Sequence, residues 1–275
     1  KDLAGQIRGQ TAVMTFDPHP LKVMKPGAEP PLITPTQQKI QLMQKAGMDV
    51  ILCIPFTKEF ASLSAQDFVR RILLDKIRVK ELVVGYDYSF GRNREGNLDL
   101  LKKMASSLGF GLHIVGPVYV NHTLVSSTSV RRLIREGELT AARELLGRDY
   151  QICGTVVKGK NRGARLLGFP TANLEPVDEL IPKGGVYAVK VGLEDEIHEG
   201  VTNIGWNPTF RNGEFSIETH ILDFQRDLLG TTLRVDFIER LREEKTFSSV
   251  DELKEQISRD IERAREILAR AAGKR

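Results

Sequence analysis

Cysteine and histidine are scarce in this chain, and the scarcity narrows its chemistry. Only two cysteines occur among 275 residues, Cys53 in VILCIPF and Cys153 in QICGTV, with no CxxC spacing and no neighbouring histidine pair. That pattern argues against a disulfide framework or a zinc ribbon; both thiols read as buried core groups, and a reducing cytoplasm is expected. The five histidines, His19, His113, His122, His198 and His220, are too scattered to build an HExxH-type metal site. No apolar run approaches the roughly 18–20 residues of a membrane span. The opening KDLAGQIRGQ carries neither a signal-peptide pattern nor an initiating Met, so the chain is expected to begin in mid-domain. Charge of one sign is lacking too. Forty basic residues stand against 36 acidic ones, a net +4, which suits polyanionic small substrates better than a nucleic-acid backbone.

What is present divides the chain in two. From Thr11 to Gly147 short apolar runs (TAVMTF, DVILCIPF, LVVGY, LHIVG) alternate with helical stretches, the pattern of a parallel α/β sheet. A helix is expected over Pro35 to Ala46, capped by Thr34 and closed by Gly47; Ser64 with Asp67 opens another, and Asn97 caps a third. Two more, about Ser127 to Glu136 and Glu138 to Leu146, close this half. After Asp149 period-two strands take over (QICGTVVKG, GVYAVKVGL, EGVTNIG, FSIETHILDF, TLRVDFI). So many short strands need closure to hide their edges, hence a small antiparallel barrel. A final helix opens at a capping box, Ser249 to Glu252, and places Leu253, Ile257, Ile261, Ala264 and Leu268 on one face. The domains expected are 1–148 and 149–275.

Several segments carry groups suited to phosphate chemistry. In TFDPHP, Asp17 and His19 follow a buried strand, where open α/β sheets bind ligands; a plain strand-ending turn is the alternative. In GYDYSFGRNREGN, Asp87, Phe90 and Gly91 sit among glycines and Arg92 and Arg94, which suits close approach of a phosphate or a mobile basic loop. In VSSTSVRRLI, Ser126, Ser127, Thr128 and Arg131 gather at a helix N-terminus, an anion site or simply a capped helix.

The most specific segment is VKGKNRGARLLGFPTAN. Lys158 to Gly168 holds three glycines and four basic residues, a flap for phosphates through Lys158, Gly159, Lys160, Gly163 and Gly168. Pro170 follows, and then Thr171 and Asn173, two apart on a strand, offer hard oxygens from one face to Mg²⁺ and its phosphates. In SIETHILDF, Glu218, His220 and Leu222 share a face opposite Ile217, Thr219 and Ile221. Glu218 is placed to deprotonate a hydroxyl or to form a barrel-mouth ion pair. NIGWNPTF, with Asn203 and Trp206, and ERLREEKTF, with Arg242 and Phe247, offer stacking and polar contacts for a planar ligand, or are ordinary loops.

Taken in order, TFDPHP, VVGYDYSFGRNREG, VSSTSVR, GFPTAN, IETHILDF and FIERLREEKTF resemble the prokaryotic bifunctional riboflavin kinase/FAD synthetase family over essentially the whole chain. The resemblance implies a Rossmann-like nucleotidyltransferase domain that makes FAD and pyrophosphate from FMN and ATP. It also implies a six-stranded riboflavin kinase barrel with a C-terminal helix that makes FMN and ADP from riboflavin and ATP. It assigns Mg²⁺ and nucleotide to Thr171 and Asn173, the kinase base to Glu218, and ATP in the first domain to Ser126 through Arg131; Asn203, Arg242 and Phe247 are the flavin candidates. The family's first strand and GxFDGxHxGH segment have no match here, so the expectation is an N-terminally incomplete first domain, with a kinase lacking adenylyltransferase activity as the alternative. A barrel-type nucleic-acid binder is the rival from another class. Small-molecule partners, no nucleic acid, no membrane, and a monomer or weak homo-oligomer are expected.

Overall fold

The computed structural model describes residues 1–159, 168–176, 180–206 and 215–273. They fall into two compact units, Lys1–Tyr119 and Val120–Arg275. The division by compactness precedes the change of strand pattern near Tyr150, because the helices 127–146 pack with the barrel.

In the first unit, helix α1 (Asp2–Gln6) precedes strand β1 (Ala12–Asp17), short helix α2 (Pro20–Met24), helix α3 (Thr36–Lys45) and strand β2 (Val50–Pro55). Helices α4 (Lys58–Ala61) and α5 (Ala65–Asp67) follow, the latter running into a π-helix over Phe68–Lys76. Strand β3 (Glu81–Gly85), helix α6 (Leu98–Leu108) and strand β4 (Gly111–Val115) complete it. The four expected strands form, but as two parallel ladders, β1 with β2 and β3 with β4, among the described residues. One hydrophobic cluster holds this unit together, with Phe68, Val69, Leu73, Val84, Leu101 and Phe110 at its centre.

Local chemistry explains the helix ends. Ser64 accepts from Asp67 N–H at 3.0 Å, and Asn97 accepts from Leu100 N–H at 2.9 Å, as N-caps should. The cap of α3 differs from expectation: Pro35, not Thr34, holds the N-cap position, and the Thr36 hydroxyl reaches Asp17 Oδ1 at 2.9 Å. Proline has no side-chain acceptor, so this helix starts without a side-chain cap. The buried-thiol expectation also fails. Cys53 is exposed and Cys153 is partly exposed, both free. Among the described residues β2 pairs only with β1, and none of its side chains is fully buried.

The hairpin β5 (Tyr119–Val120) and β6 (Thr123–Leu124) leads to helices α7 (Ser127–Glu136) and α8 (Leu139–Leu146). Then come strands β7 (Tyr150–Val157), β8 (Ala172–Pro176), β9 (Gly185–Leu193), β10 (Glu196–Trp206), β11 (Phe215–Ile221) and β12 (Thr232–Arg242), and helix α9 (Val250–Ala272). The six strands close a barrel in the order β10-β11-β8-β7-β12-β9, every neighbour antiparallel. Closure leaves no long strand edge open, which is why the alternating pattern is stable at this size. Tyr150, Ile152, Ile204, Ile217, Leu233 and Phe237 are essentially inaccessible. Thr202 and Thr219, directly opposite and fully buried, join their hydroxyls at 2.8 Å.

Strand β9 is buried on both faces. Val186 and Ala188 meet Ala264, Ile267 and Leu268 of α9, so the strand reads as a nearly unbroken apolar run. Ser249 caps α9 through Glu252 N–H at 3.1 Å, while the Glu252 carboxylate reaches back to Ser248, one residue earlier than the expected box.

Candidate functional site

The barrel's ladders assemble one row of residues across all six strands. Arg242 lies opposite Val186, Val186 opposite Asn203, Asn203 opposite Glu218, Glu218 opposite Asn173, and Asn173 opposite Val157. Directly opposed residues of antiparallel strands share a face, with Cβ atoms roughly 4.5–5.5 Å apart. Three polar side chains, Asn203, Glu218 and Asn173, thus stand side by side on β10, β11 and β8. Strand alternation holds as expected: Ile217, Thr219 and Ile221 are buried, while Ser216, Glu218 and His220 are half-buried on the other face. The Ser216 hydroxyl donates to Glu218 Oε1 at 3.2 Å.

At the Asn173 end, the main chain leaving β7 presses on the row. A Cβ on Gly159 would sit 2.0 Å from Asn173 Nδ2, so only glycine lets this backbone lie against the amide. A cavity of about 740 Å³ opens beside that contact. Lys158, Gly159, Pro170 and Thr171 line it, and so does the segment 224–229 that links β11 to β12. The volume falls within the roughly 300–1,000 Å³ usual for small-molecule sites. Its inner wall is Thr219 and Ile221, on the opposite face of β11 from Glu218. Cavity and polar row therefore adjoin at Gly159 and Thr171.

Gly168 is left-handed (φ +78°) with open space where a Cβ would stand. Lys160 and Gly163 lie outside the described residues, as does most of the expected flap. Beyond Phe224, the last residue of SIETHILDF, the segment 225–229 carried no motif signal; closure of the barrel brings it against Thr171. It is held by an Arg226–Glu196 ion pair, with Arg226 4.8 Å above the Phe224 ring and His198 edge-on to that ring at 5.0 Å. Hydrogen bonds from His198 and Arg226 hold the exposed Glu196 carboxyl below its ordinary range.

At the other end, Arg242 is committed to α9. Its guanidinium meets the Asp260 carboxylate through three contacts of 2.8–3.0 Å, and the two side chains are only 15% and 7% exposed. Gln256 donates to Asp260 Oδ1 at 2.9 Å, and Arg242 lies 5.8 Å from the Phe247 ring. Arg242 thus ties β12 to α9 and braces Phe247. Asp260 escaped the sequence reading because it occupies the apolar stripe of α9 between Ile257 and Ala264, where a carboxylate is itself the clue to a buried partner.

In the first unit, Asp17 takes the Thr36 hydroxyl at the end of β1, and His19 Nδ1 accepts from Leu21 N–H at 3.2 Å at the start of α2. The loop after β3 is a pinned hairpin. Phe90 and Gly96 exchange both main-chain hydrogen bonds, and Glu95 Oε1 accepts from Ala65 N–H at 2.8 Å. Phe90 is buried in the core beside Tyr88 and Phe68, so it anchors the loop from below. Gly91 has φ +73°, and a Cβ there would meet the Ala65 backbone at 2.6 Å. Asp87, exposed, follows β3, its Oδ1 3.3 Å from where a Cβ on Gly85 would stand.

In the second unit, Ser126 caps α7 through Ser129 N–H at 3.1 Å, leaving Ser127 and Thr128 in the first turn. Burial, and then the neighbouring Arg135, push the Arg131 guanidinium below its ordinary value. A helix N-terminus with hydroxyls and a nearby guanidinium suits an anion.

Among the described residues no cluster of three or more His, Cys, Asp or Glu is placed to hold a metal. The donors at the start of β8 are instead a hydroxyl and an amide, Thr171 just before the strand and Asn173 on it, with the Glu218 carboxylate opposite Asn173. Few and hard, they fit a cation that keeps waters and substrate phosphates in its shell, as Mg²⁺ does. No described helix is long and apolar enough to cross a membrane.

Comparison with known proteins covers both halves. Residues 1–129 match the family model described as FAD synthetase, and residues 146–268 match the one described as riboflavin kinase. The bifunctional riboflavin kinase/FMN adenylyltransferase of Listeria monocytogenes is 41% identical over 273 residues, 98% of this chain and 86% of that protein. The protein of that name from Escherichia coli K12 is 39% identical over 255 residues, 92% and 81% of the two chains. A crystal structure titled macrolide-efflux protein from Streptococcus pneumoniae shares 31% identity with a TM-score of 0.83, covering 96% of this chain and 86% of that one.

Proposed function

The chain belongs to the bifunctional riboflavin kinase/FMN adenylyltransferase family, and on that premise we propose how its residues divide the two reactions. Residues 149–275 phosphorylate riboflavin to FMN with ATP, releasing ADP; residues 1–148 belong to the adenylylation of FMN to FAD, with release of pyrophosphate. Both suit a cytoplasmic enzyme acting on small molecules, a monomer or weak homo-oligomer without a nucleic-acid or membrane partner.

The observation that carries the kinase assignment is the position of Glu218 between Asn173 and Asn203. A primary hydroxyl is a poor nucleophile at neutral pH, and a carboxylate beside it accepts the proton as the oxygen attacks the γ-phosphorus. Asn173 with Thr171 faces the phosphates. Asn203, with Phe247 braced by Arg242, faces the flavin. The cavity beside Gly159 takes the nucleotide, with Lys158 and the following flap, including Lys160, Gly163 and Gly168, against its phosphates. Mg²⁺ held by Thr171 and Asn173 supplies charge neutralisation at the transferred phosphoryl group.

Adenylyl transfer needs no base at the nucleophile. The FMN phosphate, with a second pKa near 6, is already largely dianionic at neutral pH. The protein's task is alignment and charge compensation. Ser126, Ser127, Thr128 and Arg131 at the start of α7 suit ATP phosphates; Asp17, His19, Asp87 and the loop of Phe90 and Gly91 suit FMN and nucleotide.

The test is Glu218→Gln. Loss of a general base lowers the phosphorylation rate about 10²–10⁴-fold, while ATP and flavin affinities change little. Single-turnover phosphorylation and a thermal melt on one preparation decide the matter: near-normal turnover with lowered stability makes Glu218 a structural carboxylate and removes the proposal.

A further inference from the structure

We propose that His220 is a positioning residue for phosphoryl transfer, holding the Pro170–Thr171 main chain so that Thr171 and Asn173 present their oxygens together. The inference rests on the assignment of those two residues to the nucleotide and its metal.

The ladder between β8 and β11 pairs Asn173 with Glu218 and Ala172 with Thr219, and then stops. The next rung would set Thr171 opposite His220. One residue further back, Pro170 has no N–H to donate, so the regular ladder has no means of going on through it. Yet this short stretch between the flap and β8 must stay in place, because Thr171 and Pro170 line the cavity. The His220 side chain supplies the missing attachment. Its Nδ1 lies 2.7 Å from the Pro170 carbonyl oxygen, and its ring stands edge-on to Phe169 at 5.6 Å. A carbonyl oxygen can only accept, so Nδ1 carries the proton and, in the neutral ring, Nε2 does not.

The location is specific. His220 is two residues from Glu218 on the same face of β11, and its hydrogen bond is made just before Thr171. One strand therefore carries both the proposed base and the clamp on the facing strand. Without the clamp, Thr171 gains backbone freedom, and ordering it on each binding event lowers affinity for MgATP more than it lowers the chemical step.

The experiment compares His220→Ala, His220→Asn and Thr171→Val in the full chain. Asparagine is the informative replacement, since its Nδ2 amide stands at the position of the histidine Nδ1 and can donate to the same carbonyl. His220→Ala should raise KM for MgATP about 3–10-fold, the equivalent of one lost hydrogen bond, with a smaller change in kcat; His220→Asn should remain within about 2-fold of the parent. Parental KM in His220→Ala beside a raised KM in Thr171→Val overturns this inference alone. Parental values in both overturn the site assignment and this inference with it. Equal defects in His220→Ala and His220→Asn overturn it as well, by showing that the ring packs and does not donate. Nitrogen-15 shifts of the parent protein give an answer even where a variant fails to fold: a proton on Nδ1 of His220 is expected, and a neutral ring protonated on Nε2 overturns the inference.

Discussion

Replacing Asp260 by asparagine leaves the Arg242 guanidinium in place and removes the charge that compensates it. The pair is nearly dry, with the two side chains 15% and 7% exposed, and three contacts of 2.8–3.0 Å join them. Removing one member of such a pair strands the other, at about 3–5 kcal/mol; the asparagine oxygen still accepts one hydrogen bond, so the low end applies. For a unit of this size each kcal/mol moves the midpoint by roughly 3–4 °C, so the barrel should melt roughly 10 °C lower. Calorimetry of the full chain follows that transition. Changing both partners, Arg242→Met with Asp260→Leu, should recover much of the loss, because an apolar pair needs no charge compensation. Flavin binding should weaken in Asp260→Asn too, since Arg242 braces the Phe247 ring. A shift below about 2 °C, against the roughly 10 °C worked out from the buried pair, would refute the reasoning.

Two further outcomes are expected. Gly159→Ala drives a methyl to 2.0 Å from Asn173 Nδ2, so the amide must move, and the MgATP requirement should rise about 10-fold while stability falls by only about 1–3 kcal/mol; an unchanged MgATP titration would mean that Asn173 does not serve the nucleotide. Burial pushes the Tyr187 phenol up to about 12, with Arg240 opposing. Below pH 10 the phenol is protonated in both folded and unfolded chains and its stabilisation is fully present. Between about 10 and 12 only the unfolded chain releases the proton, so stability falls by roughly 2–3 kcal/mol across that window. Urea midpoints against pH should show the fall in the parent and a shallower one in Tyr187→Phe; equal slopes would exclude Tyr187 as its source.

The sequence by itself determined most of the elements and the order of the chemical motifs. Period-two alternation placed Glu218 and His220 on the face opposite Ile217, Thr219 and Ile221, because pleating alone sets that geometry. Ser64, Asn97 and Ser249 declared their caps for an equally local reason. Local rules also misled. They made Thr34 a cap where Pro35 holds the position, and Cys53 a core thiol where it is exposed on a strand that, among the described residues, pairs only with β1. What only tertiary structure decided is who faces whom across strands. Asn203, Glu218 and Asn173 are far apart in the chain and become neighbours through ladder register. Register is a non-local property, chosen by barrel closure and the burial of every inward side chain at once. The same holds for the 224–229 segment at the cavity and for Asp260 beneath Arg242. A carboxylate in an apolar stripe announces that it has a partner, but only the packing of α9 on β12 says which one.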